Sequence, residues 1–298
     1  MTITAQMVKE LRERTGAGMM DSKKALVENG GDFEAAIDWL RTKGIAKAEK
    51  KASRVASEGM VFTLAEGNKG VVVEVNSETD FVAKNDQFQA FVKQLAAMIL
   101  ESGETDVEAL KSANWPEGGT VSEKLTDLVA TIGENISIRR AQTVSVPNGV
   151  VSGYMHMGGK IGVLTAIEAP EASDTMAEVA RNISMHVAAS NPQFLDRSSI
   201  DADVLARETA VYEEQARQGG KPDNIVEKIV MGRVNKFCEE ICLVDQAFVM
   251  DTDRKVGQVV TDANADAKLS TYVRFVLGEG IEKEEGDFAA EVAAAVAS

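Results

Sequence analysis

One pattern occurs twice in this chain and constrains its fold more than any other. Met60 to Glu66, a Gly67-Asn68-Lys69-Gly70 turn and Val71 to Asn76 read as a β-hairpin, followed by a helix from about Asp86 to Glu101. Val150 to Met157, a Gly158-Gly159-Lys160 turn and Ile161 to Ala169 read the same way about 92 residues on, followed by a helix from about Asp174 to Ser190. Each helix leads through more helical sequence to a further strand, Ile136 to Val146 in one copy and Cys242 to Met250 in the other. Hairpins alternating with helices predict an α+β fold, with antiparallel sheets and a duplicated core.

Where the copies differ, one of them carries an addition. Between the second hairpin strand and the helix the later copy has only Pro170-Glu171-Ala172-Ser173, whereas the earlier one has Asn76 to Asn85. That longer link contains Thr79-Asp80-Phe81-Val82-Ala83-Lys84. An aromatic and a carboxylate placed where a short turn would serve are not required by the shared architecture and point to a partner contact. The alternative is that Phe81 tucks under its own sheet while Asp80 caps a turn. The following helix is expected to take Asp86 as its cap, with Gln89 reaching back.

Ahead of the core, Thr4 and Asp32 are helix caps, and Gly16, Gly18, Gly30 and Gly31 punctuate the segment. Met7, Val8 and Leu11, then Met20, Ala25 and Leu26, then Phe33, Ala36, Ile37 and Leu40 recur at helical spacing. They predict a three-helix head ending near Gly44, of a size that is marginal alone and suited to docking. Met19 and Met20 are adaptable docking contacts or bundle core. Lys47, Lys50, Lys51 and Arg54 then read as a solvated helical linker.

The later copy has its own insertion, Asn191 to Lys236, in which Gly219-Gly220-Lys221-Pro222 joins two helical arms. Its eight acidic and seven basic residues nearly cancel, which leaves self-association, a second partner or a solvated spur open. The expected domains are therefore a helical head at 1–54, core subdomains at 55–144 and at 145–190 with 237–280, the helical arm at 191–236, and a carboxy-terminal helical module at 281–298.

Charge and reactive residues narrow the function. Net charge is −15, with residues 1–54 at +3 and the remainder at −18, so generic nucleic-acid binding is disfavoured and a polar protein surface is the expected partner. No apolar run reaches the roughly 20 residues of a membrane span, and the amino terminus lacks signal-peptide regions. A cytoplasmic protein is expected. Cys238 and Cys242 read as packed thiols. His156 and His186 are the only histidines, and neither has neighbours that build a triad or metal site. Gly158-Gly159-Lys160 is not a phosphate loop, because Tyr154 stands where a glycine is needed and Ile161 replaces the hydroxyl.

Four motifs spread along the chain resemble the bacterial elongation factor Ts family. They are Val8 to Asp21, Thr79 to Lys84, Ile132-Gly133-Glu134-Asn135-Ile136, and Val273-Arg274-Phe275 with Gly278 to Lys283. The resemblance implies a ubiquitin-associated-like (UBA-like) head, two related core subdomains, a protruding helical hairpin that forms a coiled coil, and a carboxy-terminal helical module. It implies a guanine-nucleotide exchange factor with no covalent chemistry and no cofactor of its own, acting on the Mg²⁺ and GDP held by elongation factor Tu. On that resemblance Asp80 and Phe81 wedge into the partner's nucleotide domain, Arg12, Met19 and Met20 dock on the same domain, and His156 meets the partner's third domain. A homodimer or heterotetramer through the arm stays open. The competing expectation is an adaptor that docks a partner without altering it.

Overall fold

The protein, described here by a computed structural model over residues 2–220 and 222–282, is a mixed helical and sheet structure. The expected helical module at 281–298 lies outside the described residues apart from 281 and 282. The chain divides into two compact units. One comprises residues up to Val61, Val73–Ala141 and the segment beginning at Val276; the other comprises Phe62–Val72 and Gln142–Phe275.

The first unit opens with α1 (Ala5–Thr15), α2 (Met19–Glu28) and α3 (Phe33–Lys51). Thr4 and Asp32 accept from the Met7 and Ala35 amides, at 3.3 and 3.0 Å, and Gly16 closes α1 in the left-handed conformation. Val8, Leu11, Ala25, Leu26 and Ala36 form the core of this head. Met20 is not part of it. The third helix also outruns its expected end. Gly44 does not stop α3 but lets it approach α6 (Val121–Ile132), where an added Cβ would lie 3.3 Å from that of Ala130. The basic stretch is solvated at Lys50 and Arg54, which are exposed, but three of its cations also have partners. Lys47 pairs with Asp21 at 2.6 Å, Lys51 donates to the Gly133 carbonyl at the end of α6, and Arg54 meets Glu78 at 3.3 Å.

Strands β1 (Glu58–Glu66), β2 (Lys69–Ser77) and β3 (Ile136–Ser145) form one sheet in that order. On β2 the carboxylate of Glu74 is fully buried and accepts from Arg139 at 2.9 Å, Arg140 at 2.6 Å, the Gly278 amide at 2.8 Å and Asn76 at 3.1 Å. Burial would push its acidity down, but these four donors outweigh burial and hold it below the usual carboxylate range. Helix α4 (Asp86–Ser102) and α5 (Val107–Ser112) precede α6, and Phe91 of α4 stacks on the buried Trp115 at 5.2 Å.

In the second unit β4 (Gly149–His156) and β5 (Ile161–Glu168) pair antiparallel, from Gly149 opposite Glu168 to His156 opposite Ile161. The third strand of this sheet is β8 (Lys268–Val276), which lies beside β5. The expected strand at Cys242 to Met250 is not there. Cys242 forms a single bridge with Phe194, Leu243–Asp245 forms a tight turn whose buried Leu243 is held by the Phe194 carbonyl, and Ala247–Phe248 (β6) pairs with Asp251–Lys255 (β7). Helices α7 (Asp174–Ser190) and α10 (Val256–Ala263) supply most of the remaining core, around Met176, Ile183, Val187 and Val260. The arm is α8 (Ala202–Gln218) packed on α9 (Asp223–Ile241), and α9 carries Cys238 and leads to Cys242, both free and buried. Burial pushes the Cys242 thiol up to about 11.

A detail that periodicity does not reveal relates the copies. Gly59 and Gly149 both have φ well into the left-handed half, +116° and +124°, and a Cβ would come within 2.3 Å of the Val75 carbonyl oxygen or 2.0 Å of that of Ile167. Both positions exclude every other residue, each where the first hairpin strand begins.

Two stability effects follow. Glu74→Ala removes the buried carboxylate on which Arg139 and Arg140 converge, while the exposed contact of Arg140 with Glu279 stays, and should lower unfolding free energy by on the order of 3 kcal/mol in urea titrations. His186, fully buried, donates from Nε2 to Gln246 at 2.8 Å and accepts the Val249 amide at Nδ1, so it is neutral. Desolvation holds its pKa below the ordinary 6.5 despite the Gln246 contact. Because the unfolded chain protonates first, this contribution is complete above pH 6.5 and lost as pH falls through the lower folded value. Thermal unfolding between pH 7 and 5 should show that decline, and His186→Gln should flatten it.

Candidate functional site

The link from β2 to α4 is anchored at its base, packed at its middle and exposed at its tip. The Thr79 amide and hydroxyl both donate to the carboxylate of Glu134, at 2.9 and 2.7 Å. Beside it Glu78 accepts the Asn135 amide at 2.6 Å, and the Asn135 side chain donates to the Arg54 carbonyl at 2.7 Å. The turn after α6 thus grips the loop through both of its polar residues.

Beyond this base Val82–Lys84 forms one tight helical turn, closed by Asn85, whose side chain caps α4 through the Gln87 and Phe88 amides at 2.9 and 3.2 Å. The cap is Asn85 and not Asp86, which sits inside the first turn where its charge suits the helix dipole. Gln89 does reach back, to the Ala83 carbonyl at 3.0 Å. Val82 is 4% exposed and Phe81 is 77% exposed. The reading that Phe81 tucks beneath the sheet is therefore overturned: Val82, not Phe81, is the buried apolar residue of this turn. Asp80 and Lys84 are exposed and 3.9 Å apart, a distance that contributes little in water, and the Lys84 ammonium lies 6.0 Å from the Phe81 ring centre.

The other expected contacts are surface residues. Arg12 on α1 is exposed, and Met19 and Met20 at the start of α2 are 61% and 75% exposed, so they belong to a surface and not to the head core. His156 lies in the other unit, at the end of β4, half-buried with its Nδ1 3.1 Å from the Tyr154 hydroxyl. Its neighbours Met155 and Met157 are exposed, and Met157 takes φ +49° at the turn.

A cleft of about 690 Å³ opens between the head helices and α4 and α6, lined by Asp21, Lys43, Gly44, Trp115 and Asp127 among others. Asp21 there is already paired with Lys43 and Lys47, whose hydrogen bonds hold its carboxyl below the usual range. Among the described residues no group of three or more His, Cys, Asp or Glu could hold a metal ion, and no helix is long and apolar enough to cross a membrane.

A family model described as elongation factor TS matches residues 78–279. Proteins named elongation factor Ts from Magnetococcus marinus and Gluconobacter oxydans are 53% and 55% identical, over 99% and 98% of both chains. That from Paramagnetospirillum magneticum is 56% identical over 98% of this chain and 96% of its own. The chain belongs to the elongation factor Ts family. It is by that membership a translation elongation factor. The elongation factor Ts match opens at Glu78, the first gripped residue of the loop, and ends at Glu279, which pairs with Arg140 at 3.2 Å. The head lies outside that match and inside the nearly full-length ones.

Sequence reasoning missed the grip itself. Ile132 to Ile136 is legible as a motif, and a Glu-Asn pair just after a helix-ending glycine is the signal that its polar groups are engaged. Phe81→Ala should change stability by less than about 0.5 kcal/mol, whereas Val82→Ala should cost on the order of 2 kcal/mol, as measured by urea unfolding.

Proposed function

We propose that this chain is a guanine-nucleotide exchange factor: it binds elongation factor Tu carrying GDP and speeds GDP release, so that GTP can rebind. The observation that supports this best is Phe81, an aromatic 77% exposed on a loop fixed at both ends. Such a side chain is free to enter a partner without first being dug out of its own core. Asp80 stands beside it, and together they disturb the partner's Mg²⁺ and phosphate site. Arg12, Met19 and Met20 dock on the same partner domain, and His156 with its exposed methionine neighbours contacts another. The chain performs no covalent step, needs no cofactor of its own and works in the cytoplasm on the partner's bound nucleotide.

The energetics follow from linkage. If the chain binds nucleotide-free partner more tightly than GDP-bound partner, GDP weakens its binding by the same factor. Burying one Phe ring is worth roughly 1.5 to 3 kcal/mol, and each 1.4 kcal/mol is about tenfold, so Phe81 accounts for roughly ten- to hundredfold of that coupling. The head and core contacts supply more. The test is stopped-flow release of a fluorescent GDP analogue from elongation factor Tu. The intact chain should accelerate release and Phe81→Ala should slow it roughly ten- to hundredfold. A plain adaptor would bind without changing the rate, and unchanged kinetics for Phe81→Ala would remove the wedge.

A further inference from the structure

Phe81 and Val82 are adjacent, yet the smaller side chain is buried and the larger one is in water. Burial of apolar area alone favours the opposite choice. Something must therefore fix the backbone direction just before Phe81, and the polar contacts at Thr79 are the candidates. A carboxylate that takes both the amide and the hydroxyl of one residue, at 2.9 and 2.7 Å, sets that residue's backbone as well as its rotamer, and hydrogen bonds to a charged acceptor are the stronger kind. The second contact, from the Asn135 amide to Glu78 at 2.6 Å, ties the preceding residue to the same turn.

We infer that Glu134 is a positioning residue for Phe81: its carboxylate holds Thr79 so that the loop leaves the sheet with Phe81 outward and Val82 inward. It touches neither nucleotide nor metal. Its effect reaches the partner only through the aromatic ring, which arrives already oriented and spares the ordering cost at binding. The kinetic consequence rests on the exchange reading above; the conformational one does not.

Two measurements separate them. Hydrogen exchange on the intact chain should show amides 79–85 losing protection roughly tenfold or more in Glu134→Ala, with the amides of β5 and α7 unchanged. Thr79→Val removes the hydroxyl but keeps the amide, and should show a smaller loss at the same amides. It tests the same contact should Glu134→Ala fail to fold. In the GDP-release assay Glu134→Ala should lose roughly tenfold, and nothing further when Phe81→Ala is already present. Unchanged loop protection in both variants overturns the inference whatever the rates, and so does a rate loss that persists in the Phe81→Ala background. Equal rates for the intact chain and Phe81→Ala would remove the wedge instead, and no acceleration by the intact chain would defeat the exchange reading; either outcome leaves the loop protection to judge Glu134.

Discussion

A single buried carboxylate fixes where the first sheet ends and the loop begins. Glu74 is fully enclosed on β2, and a charge in that position is tolerated only because two guanidiniums, an amide and a side-chain amide converge on it. Arg139 and Arg140 come from β3, and Gly278 comes from the segment after β8. Three stretches far apart in sequence are thereby joined at one point. Asn76, two residues further along β2, donates to Glu74 and also to the Glu58 carbonyl at 3.2 Å, so the last turn of strand before the loop is held from both sides.

From that fixed end the loop inherits a graded rigidity. Its base is polar and gripped, its middle is apolar and packed, and its tip is exposed, with the Lys84 ammonium near the Phe81 ring. Rigidity at the base and exposure at the tip are complementary, since a side chain that must enter another protein gains from being both accessible and already oriented. The grip, the cap at Asn85 and the buried Val82 each restrict a different part of the backbone, and none of them covers Phe81.

Much of this was legible in the residues. The two hairpins, α4, α7 and the head caps follow from alternation, helical spacing and punctuation, all of which are local. The loop stood out because one copy has it and the other does not. The failures share one cause: they depend on what a residue meets across space. Gly44 looks like a stop and serves as a close helix crossing; Cys242 to Met250 looks like a strand, but Leu243 is better buried in a turn, and the sheet is completed by β8 instead. Phe81 and Val82 have the same apolar character on paper, and the hydrogen bonds that hold the loop's base are what separate them.

The buried thiols carry a practical corollary. Burial raises the Cys242 thiol to about 11, and Cys238 and Cys242 are both buried in a cluster against which Phe194, Ile200, Leu205 and Phe237 pack. Alkylating dyes therefore find almost nothing to react with in the folded chain. A cysteine introduced on the surface becomes the main labelling point in the folded chain, with Cys238 and Cys242 left in place because both are buried.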